Sequence, residues 1–234
     1  MIKTKITNFI SGSIFLPNVR QLVAGLVRAM VKCYPIEILE TLLPQTCESI
    51  EKILHKSEIT LLNDHNGDLE LTWYLVLFAE LVQARGDILL IYQKMIKSIF
   101  HQCIRILHKD SYEAIAKAIQ NLLRSLLNIY PMNYRLTREK LDEPFIDFLP
   151  IRIWGQNADF DQIQVQYHIP NVDEIDFVCD FVNTFIYSEL TFLKENFLKV
   201  SKDERLRSLT VISSLAIGCF RIVSRIESKE VPNL

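Results

Sequence analysis

Glycine is scarce in this 234-residue sequence, and its six glycines are spread singly. None of the glycine-rich loops that let a backbone cradle phosphates is therefore present. A GxSxG elbow and a signature triad are also missing, so nothing proposes a nucleophile or a base. Five cysteines, Cys33, Cys47, Cys103, Cys179 and Cys219, lie far apart with no CxxC pair, and His55, His65, His101, His108 and His168 form no HExxH. The spacing of a metal site is absent, and no metal ligand or catalytic residue is assigned. The thiols read as reduced core residues of a protein of the nucleus and cytoplasm.

Charge of one sign is lacking as well. Against 26 Lys and Arg stand 28 Asp and Glu, so there is no global pull toward nucleic acid or an acidic membrane surface, and no direct nucleic-acid contact is expected. No uninterrupted apolar run approaches the roughly 18 to 20 residues of a spanning helix, and no membrane partner is expected. Lys3 and Lys5 precede an apolar stretch in the manner of a leader, but Asn8, Ser11, Gly12 and Ser13 interrupt it. What is abundant is apolar side chain: 49% of the residues are hydrophobic and 10% aromatic, enough to bury a sizeable core.

Those apolar residues recur at helical spacing. Val19, Leu22, Val23, Leu26, Val27, Met30 and Val31 predict a helix with one buried face, capped by Asn18 and stopped at Tyr34-Pro35. A second helix is predicted to about Leu54, with Pro44 kinking or splitting it. A third, from Leu69, is apolar nearly all round and reads as buried between neighbours. A fourth spans Ile88 to His108, and a fifth, capped by Asp110, carries Ile115, Ile119, Leu122, Leu123, Leu126 and Leu127 on its stripe. Asn171 with Glu174, and Ser201 with Glu204, are capping signatures for two further long helices. The last of these is expected to bury Leu206, Leu209, Ile212, Leu215, Ile222 and Ile226.

Between Pro131 and Pro170 the helical period is lost, yet the stretch holds Phe145, Phe148, Trp154 and Tyr167. A loop that long and aromatic is expected to pack and not to hang free, with a short strand over Gln162 to His168. The organisation read from the chain is a poorly structured segment 1–17, helix pairs over 18–130, a packed loop over 131–170, a long helix pair over 171–228 and a tail over 229–234. The fold class is all-α: pairs starting near residues 19, 69 and 111 fit the unit size of a HEAT or armadillo-like solenoid, with an irregular helical bundle as the alternative.

Three groupings invite a functional reading. Lys94, Lys97, His101, Arg105 and His108 recur at steps of three or four along the fourth helix and form a basic stripe, either a solvated polar face or a polyanion-binding site. Phe148, Pro150, Trp154, Gly155, Tyr167, His168 and Pro170 make up either a contact surface or a loop that folds its own aromatics over helix ends. Asp173, Glu174, Asp176 and Asp180 cluster where carboxylates favour a helix start. Arg85-Gly86-Asp87 reads as a helix corner whose glycine supplies positive φ.

The segment FLPIRIWGQNADFDQIQVQYHIP, with LVRAMVKCYPIEILETLLP and LLRSLLNIYPMNY upstream in the same order, resembles the large HEAT-repeat proteasome activators over most of residues 19 to 220. Members of that family are much longer, so this chain would be a slice of one. The resemblance implies a non-catalytic part of an ATP-independent activator that binds the outer ring of the proteasome core particle and stimulates breakdown of peptides and of unstructured or acetylated substrates. It further implies links to DNA repair and spermatogenesis, acetylated histones as partners through regions not found here, and inositol polyphosphate as a ligand of the full-length protein with no cofactor required. Family members end in a Tyr-containing tripeptide, whereas this sequence ends in Val231-Pro232-Asn233-Leu234, so no gate-opening residue is carried onto it. The rival reading is a HEAT-type adaptor or scaffold that never meets the proteasome.

One outcome follows from the helical pattern alone. Leu122→Asp places an unpaired charge against the buried side of the fifth helix, a change expected to cost more than about 4 kcal/mol. Circular dichroism should find no soluble folded protein, and a folded variant would mean that the face is wrongly assigned.

Overall fold

A computed structural model describes residues 9–10, 17–56, 68–131 and 167–219. The chain divides into two units, 1–127 with 171–234, and 128–170. In the first unit the elements are α1 (Pro17–Cys33), α2 (Pro35–Lys56), α3 (Leu69–Leu81), and α4 (Gly86–Leu89), which runs through a 3-10 turn at Leu90–Tyr92 into α5 (Gln93–Cys103). They are followed by α6 (Lys109–Leu127), α7 (Val172–Asn196) and α8 (Lys202–Gly218).

Local chemistry accounts for where these helices begin. Pro17 and Pro35 occupy first helical positions, where a missing N–H costs nothing. Asp68 caps α3, its carboxylate accepting from the backbone N–H groups of Glu70 and Leu71 at 2.7 and 2.8 Å. The two expected capping boxes are present at Asn171 with Glu174 and at Ser201 with Glu204. Asn18 and Asp110, in contrast, lie inside α1 and α6, because those helices already start at Pro17 and Lys109. Pro44 does not split α2, which continues to Lys56 with Leu42, Leu43, Cys47 and Ile50 buried on either side of the ring.

The predicted helix over Ile88 to His108 is shorter than its periodicity suggests, since α5 ends at Cys103. The group that takes up the freed carbonyl lies far away in sequence. The Ile104 carbonyl, which a longer helix would offer to the N–H of residue 108, instead accepts from Arg207 Nη1 at 2.7 Å.

Helices α1, α3, α6 and α8 lie side by side in that order, and α2, α5 and α7 form a second row against them. This explains the composition of each. The α3 helix is apolar all round because it has neighbours on three sides, and Leu71, Trp73, Leu75, Leu77 and Phe78 are all buried. On α6 only a narrow strip that includes Glu113, Lys117 and Arg124 is exposed, and the whole expected stripe, Leu122 included, is buried. Phe100 on α5 sits at the junction of the rows, edge-on to Phe78 at 5.4 Å and to Phe181 at 5.0 Å between ring centroids. Such aromatic pairs are worth about 0.5–1.5 kcal/mol each beyond their burial.

Two faces differ from the sequence reading. On α8 the buried side is Arg207, Ser208, Val211, Leu215 and Gly218, while Leu206 and Leu209 are 47% and 53% exposed and Ile212 is half-buried; Ile222 and Ile226 lie outside the described residues. The small residues decide it: a Cβ at Gly218 would stand 2.9 Å from Leu123 Cβ, so α8 approaches α6 through the side that has least bulk. On α1, Val23, Val27 and Val31 are buried while Val19, Leu22 and Leu26 are exposed. The expectation of core thiols holds for Cys47 and Cys103 only; Cys33 and Cys179 are exposed and Cys219 is half-buried, and all five are free. Burial pushes the Cys47 thiol up to about 12.

In the second unit, Tyr130–Pro131 (β1) pairs antiparallel with Tyr167–His168 (β2), Tyr130 opposite His168 and Pro131 opposite Tyr167. Of the aromatic loop residues, Phe148, Pro150, Trp154 and Gly155 lie outside the described residues. Tyr167 is exposed, His168 half-buried and Pro170 buried.

Gly86 corrects one more expectation, for it belongs to α4 and needs no positive φ. A Cβ there would collide with Glu174 Oε1 and lie 2.9 Å from Leu126 Cα and 3.0 Å from the Ser125 carbonyl oxygen. Close approach of α4 to α6 and to the start of α7 is what demands glycine. Gly86→Ala should therefore destabilise the protein by about 1–3 kcal/mol, the usual cost of overpacking. A thermal melt unchanged from wild type would show that α4 can move aside freely.

Candidate functional site

The basic stripe read from the sequence does not face outward as a whole. Lys97 pairs with the carboxylate of Asp180 on α7, and its ammonium lies 5.8 Å from the centre of the Phe177 ring. One turn on, the His101 ring packs against Phe185 at 4.7 Å. Arg105, just past the end of α5, has Nε 3.8 Å from Glu189 Oε1, and its guanidinium stacks 4.9 Å from the centre of Phe192. His108 turns away to Ser111, with Nδ1 2.9 Å from Oγ, and Lys94 is exposed. Three of the five residues thus form a seam with α7.

The α7 partners complete a pattern that the sequence reading missed. Phe177, Asp180, Phe185, Glu189 and Phe192 recur at steps of three to five, alternating ring and carboxylate, and so match the cationic steps of α5. Lys97, His101 and Arg105 each meet a ring, and Lys97 and Arg105 also meet a carboxylate. The signal was in the sequence, since Asp180 and Glu189 break the apolar face of α7 at the two places where a cation arrives.

At the inner end of the seam the polar groups are fully buried. Glu189 and Ser208 are 0% exposed and Arg207 is 2% exposed. Arg207 Nη2 donates to Glu189 Oε2 at 3.1 Å and to Ser208 Oγ at 2.8 Å, and the Ser208 hydroxyl donates to the same Glu189 oxygen at 2.7 Å. Burial pushes the Arg207 guanidinium below its ordinary value, and Glu189 acts in the opposite direction. Glu189 Oε1 and Arg207 Nε have no hydrogen-bond partner among the described residues. A second ion pair ties the other end of the first row, where Arg28 on α1 donates twice to Glu80 on α3 at 2.7 and 2.8 Å.

The chemistry available in this arrangement is cohesion. Cations and carboxylates are spent on one another across helices, with aromatic rings between them. Among the described residues, no group of three or more His, Cys, Asp or Glu is placed to hold a metal ion. Asp173, Asp176 and Asp180 line a shallow cleft with Leu90, Gln93 and Phe177, and Lys97 already answers Asp180 there. No helix among the described residues is long and apolar enough to cross a membrane.

Residues 1–219 match the family described as proteasome activator complex subunit 4, mid HEAT repeats region. The chain is similar to proteasome activator complex subunit 4 of Homo sapiens and of Xenopus laevis, 31% identical in each case over 98% of this chain and 13% of the relative. It is also similar to proteasome activator complex subunit 4B of Danio rerio, 28% identical over the same shares. The chain thus spans 13% of the length of the curated relatives it matches.

The buried pair makes a measurable claim about stability. Glu189→Gln leaves the Arg207 charge buried without a counter-charge and should lower the unfolding free energy by about 3–5 kcal/mol in urea. The double variant Glu189→Leu with Arg207→Leu should recover part of this and not all, because the Ile104 carbonyl then loses its donor at a cost of about 1–3 kcal/mol. Full recovery would mean that the bond to Ile104 contributes nothing.

Proposed function

Because this chain belongs to the proteasome activator complex subunit 4 family, in its mid HEAT repeats region, we propose that it is a structural segment of an ATP-independent proteasome activator. In this reading the full-length protein caps the core particle and stimulates degradation of peptides and proteins. The segment contributes no catalysis; it holds a stack of helices at fixed spacing. The observation that carries the reading is the family match over residues 1–219, in the order of the helices described. The geometry supports it, since Lys97, Arg105 and Arg207 are each paired across helices with a carboxylate of α7.

A segment of this kind acts through shape. Each helix pair buries its apolar faces against the next, so small rotations between pairs set the curvature of the complete array. The expected partner is the proteasome core particle, met by the whole protein in the nucleus and cytoplasm. An adaptor or scaffold of HEAT type would be built by the same packing rules and would differ only in what it binds.

Native co-purification separates the two. The gene product is isolated from cells that make it, its true length is read by peptide mass spectrometry, and core-particle subunits are sought in the same fraction. A product bound to core particles, with peptide hydrolysis raised over core particles alone, is the expected result. A product that never co-purifies with core particles would overturn the activator reading in favour of the adaptor.

A further inference from the structure

Of the five cysteines, the fold brings four into two pairs, and the pairs differ in access. Cys47 on α2 and Cys103 on α5 are 3% and 0% exposed, and a charge on Cys47 would be felt at Cys103. Cys179 on α7 and Cys219, which caps the end of α8, are a different case: the first is exposed and the second half-buried.

The register of α7 and α8 puts Cys179 and Cys219 at one level. Only residues 197–201 separate the two helices, and the Ser208 hydroxyl donates to Glu189 at 2.7 Å, so α8 runs back along α7. Cys179 lies ten residues before Glu189 and Cys219 eleven after Ser208. At the rise of an α-helix that is about 15 Å along one axis and about 16.5 Å along the other. The faces agree as well. Cys179, Ile186 and Glu189 recur at steps of seven and three, and Ser208, Leu215 and Cys219 at steps of seven and four, so each cysteine lies on the stripe that carries the Glu189–Ser208 contact. Burial pushes the Cys219 thiol up to about 11, and Cys179 acts in the same direction, so the two sulfur atoms are within electrostatic reach of each other. Among the described residues no third His, Cys, Asp or Glu completes a metal-binding group with them, which leaves the chemistry of a dithiol.

We propose that Cys179 and Cys219 form a reversible redox site, which a low-molecular-weight disulfide such as oxidised glutathione converts to a bridge between α7 and α8. Access sets the order of events. The thiolate of the exposed Cys179 attacks one sulfur of the small disulfide, whose S–S bond breaks; one small thiol leaves and a mixed disulfide remains on Cys179 Sγ. Cys219 then gives up its proton, and its thiolate attacks Cys179 Sγ. The Sγ–Sγ bond forms as the bond to the second small thiol breaks. Two protein thiols are oxidised, one small disulfide is reduced to two thiols, and the two protein protons end on those thiols. The Cys47 and Cys103 sulfurs do not meet solvent, so the first step has no entry there. A bridge at Cys179 and Cys219 would tie the ends of α7 and α8 that lie farthest from their connecting corner, whereas Glu189, Arg207 and Ser208 tie the part nearer to it. The inference does not depend on the proteasome as partner.

The native gene product, purified free of proteasome and incubated with mixtures of reduced and oxidised glutathione, tests this. Samples are quenched in acid, alkylated and digested for mass spectrometry. The expected result is a Cys179–Cys219 linked peptide within one chain, whose share rises several-fold as the oxidised fraction increases and falls again on addition of dithiothreitol. The Cys219→Ser variant should instead accumulate glutathione on Cys179. Glutathione that persists on Cys179 of the unaltered protein, with Cys219 still open to alkylation, would overturn the proposal. So would two free thiols at the most oxidising mixture, or a linkage that joins two copies of the chain and runs as a covalent dimer on a non-reducing gel. Because the sample carries no core particle, none of these failures touches the activator reading.

Discussion

A guanidinium with 2% of its surface exposed needs a counter-charge and partners for its donors, and the environment of Arg207 supplies the charge and answers both terminal nitrogens, leaving Nε alone. Three elements answer it: Ile104 at the end of α5, Glu189 in the middle of α7, and Ser208 beside it on α8. The consequences run outward. The Ile104 carbonyl is free for Arg207 because α5 ends at Cys103, and the same ending puts Arg105 in the turn where it reaches Glu189 and Phe192. A buried ion pair adds little net stability over an apolar pair of equal volume, so its effect is better read as a constraint on geometry. Any shift of α8 along α6 would strand either the guanidinium or the carboxylate.

Close approach supplies the complementary constraint. At Gly218 the α8 backbone comes so near Leu123 that even a methyl group would collide, and at Gly86 the start of α4 is wedged against Glu174 and Leu126. Glu174 cannot move aside without loss, because its other carboxylate oxygen accepts from the backbone N–H of Asn171 at 2.9 Å and so closes the cap of α7. Between these contacts the Phe100 cluster fills the junction of the rows with rings that pack edge to face. Interiors this dense respond to strain by transmitting it, so spacing between neighbouring helices is fixed by many small contacts at once.

Much of this was legible in sequence because it rests on local signals. The capping boxes at Asn171 and Ser201, the stripe of α6 and the all-round burial of α3 follow from residues within one or two turns of each other. The errors have a common origin in contacts distant in sequence. The carbonyl freed at the end of α5 is met by a residue 103 positions away. The buried face of α8 was misread because that helix has two apolar sides, and the choice was made by Gly218 and Ser208, whose small size permits contact without contributing hydrophobic signal. The stripe on α5 was legible as a stripe, whereas its partners required setting it beside α7 and noticing that ring and carboxylate alternate there in step.

The distribution of polar chemistry bears on what the segment does. Here the strongest charges are turned toward one another: Arg28 to Glu80, Lys97 to Asp180, and Arg207 and Arg105 to Glu189. The exposed stripes of α1 and α8 are apolar in contrast, and these helices end a row whose interior members each pack on two neighbours. Apolar surface is non-directional and answers only to shape and area. In such a stack the ion pairs set which residues meet across helices, and the apolar side chains fill the space that register leaves.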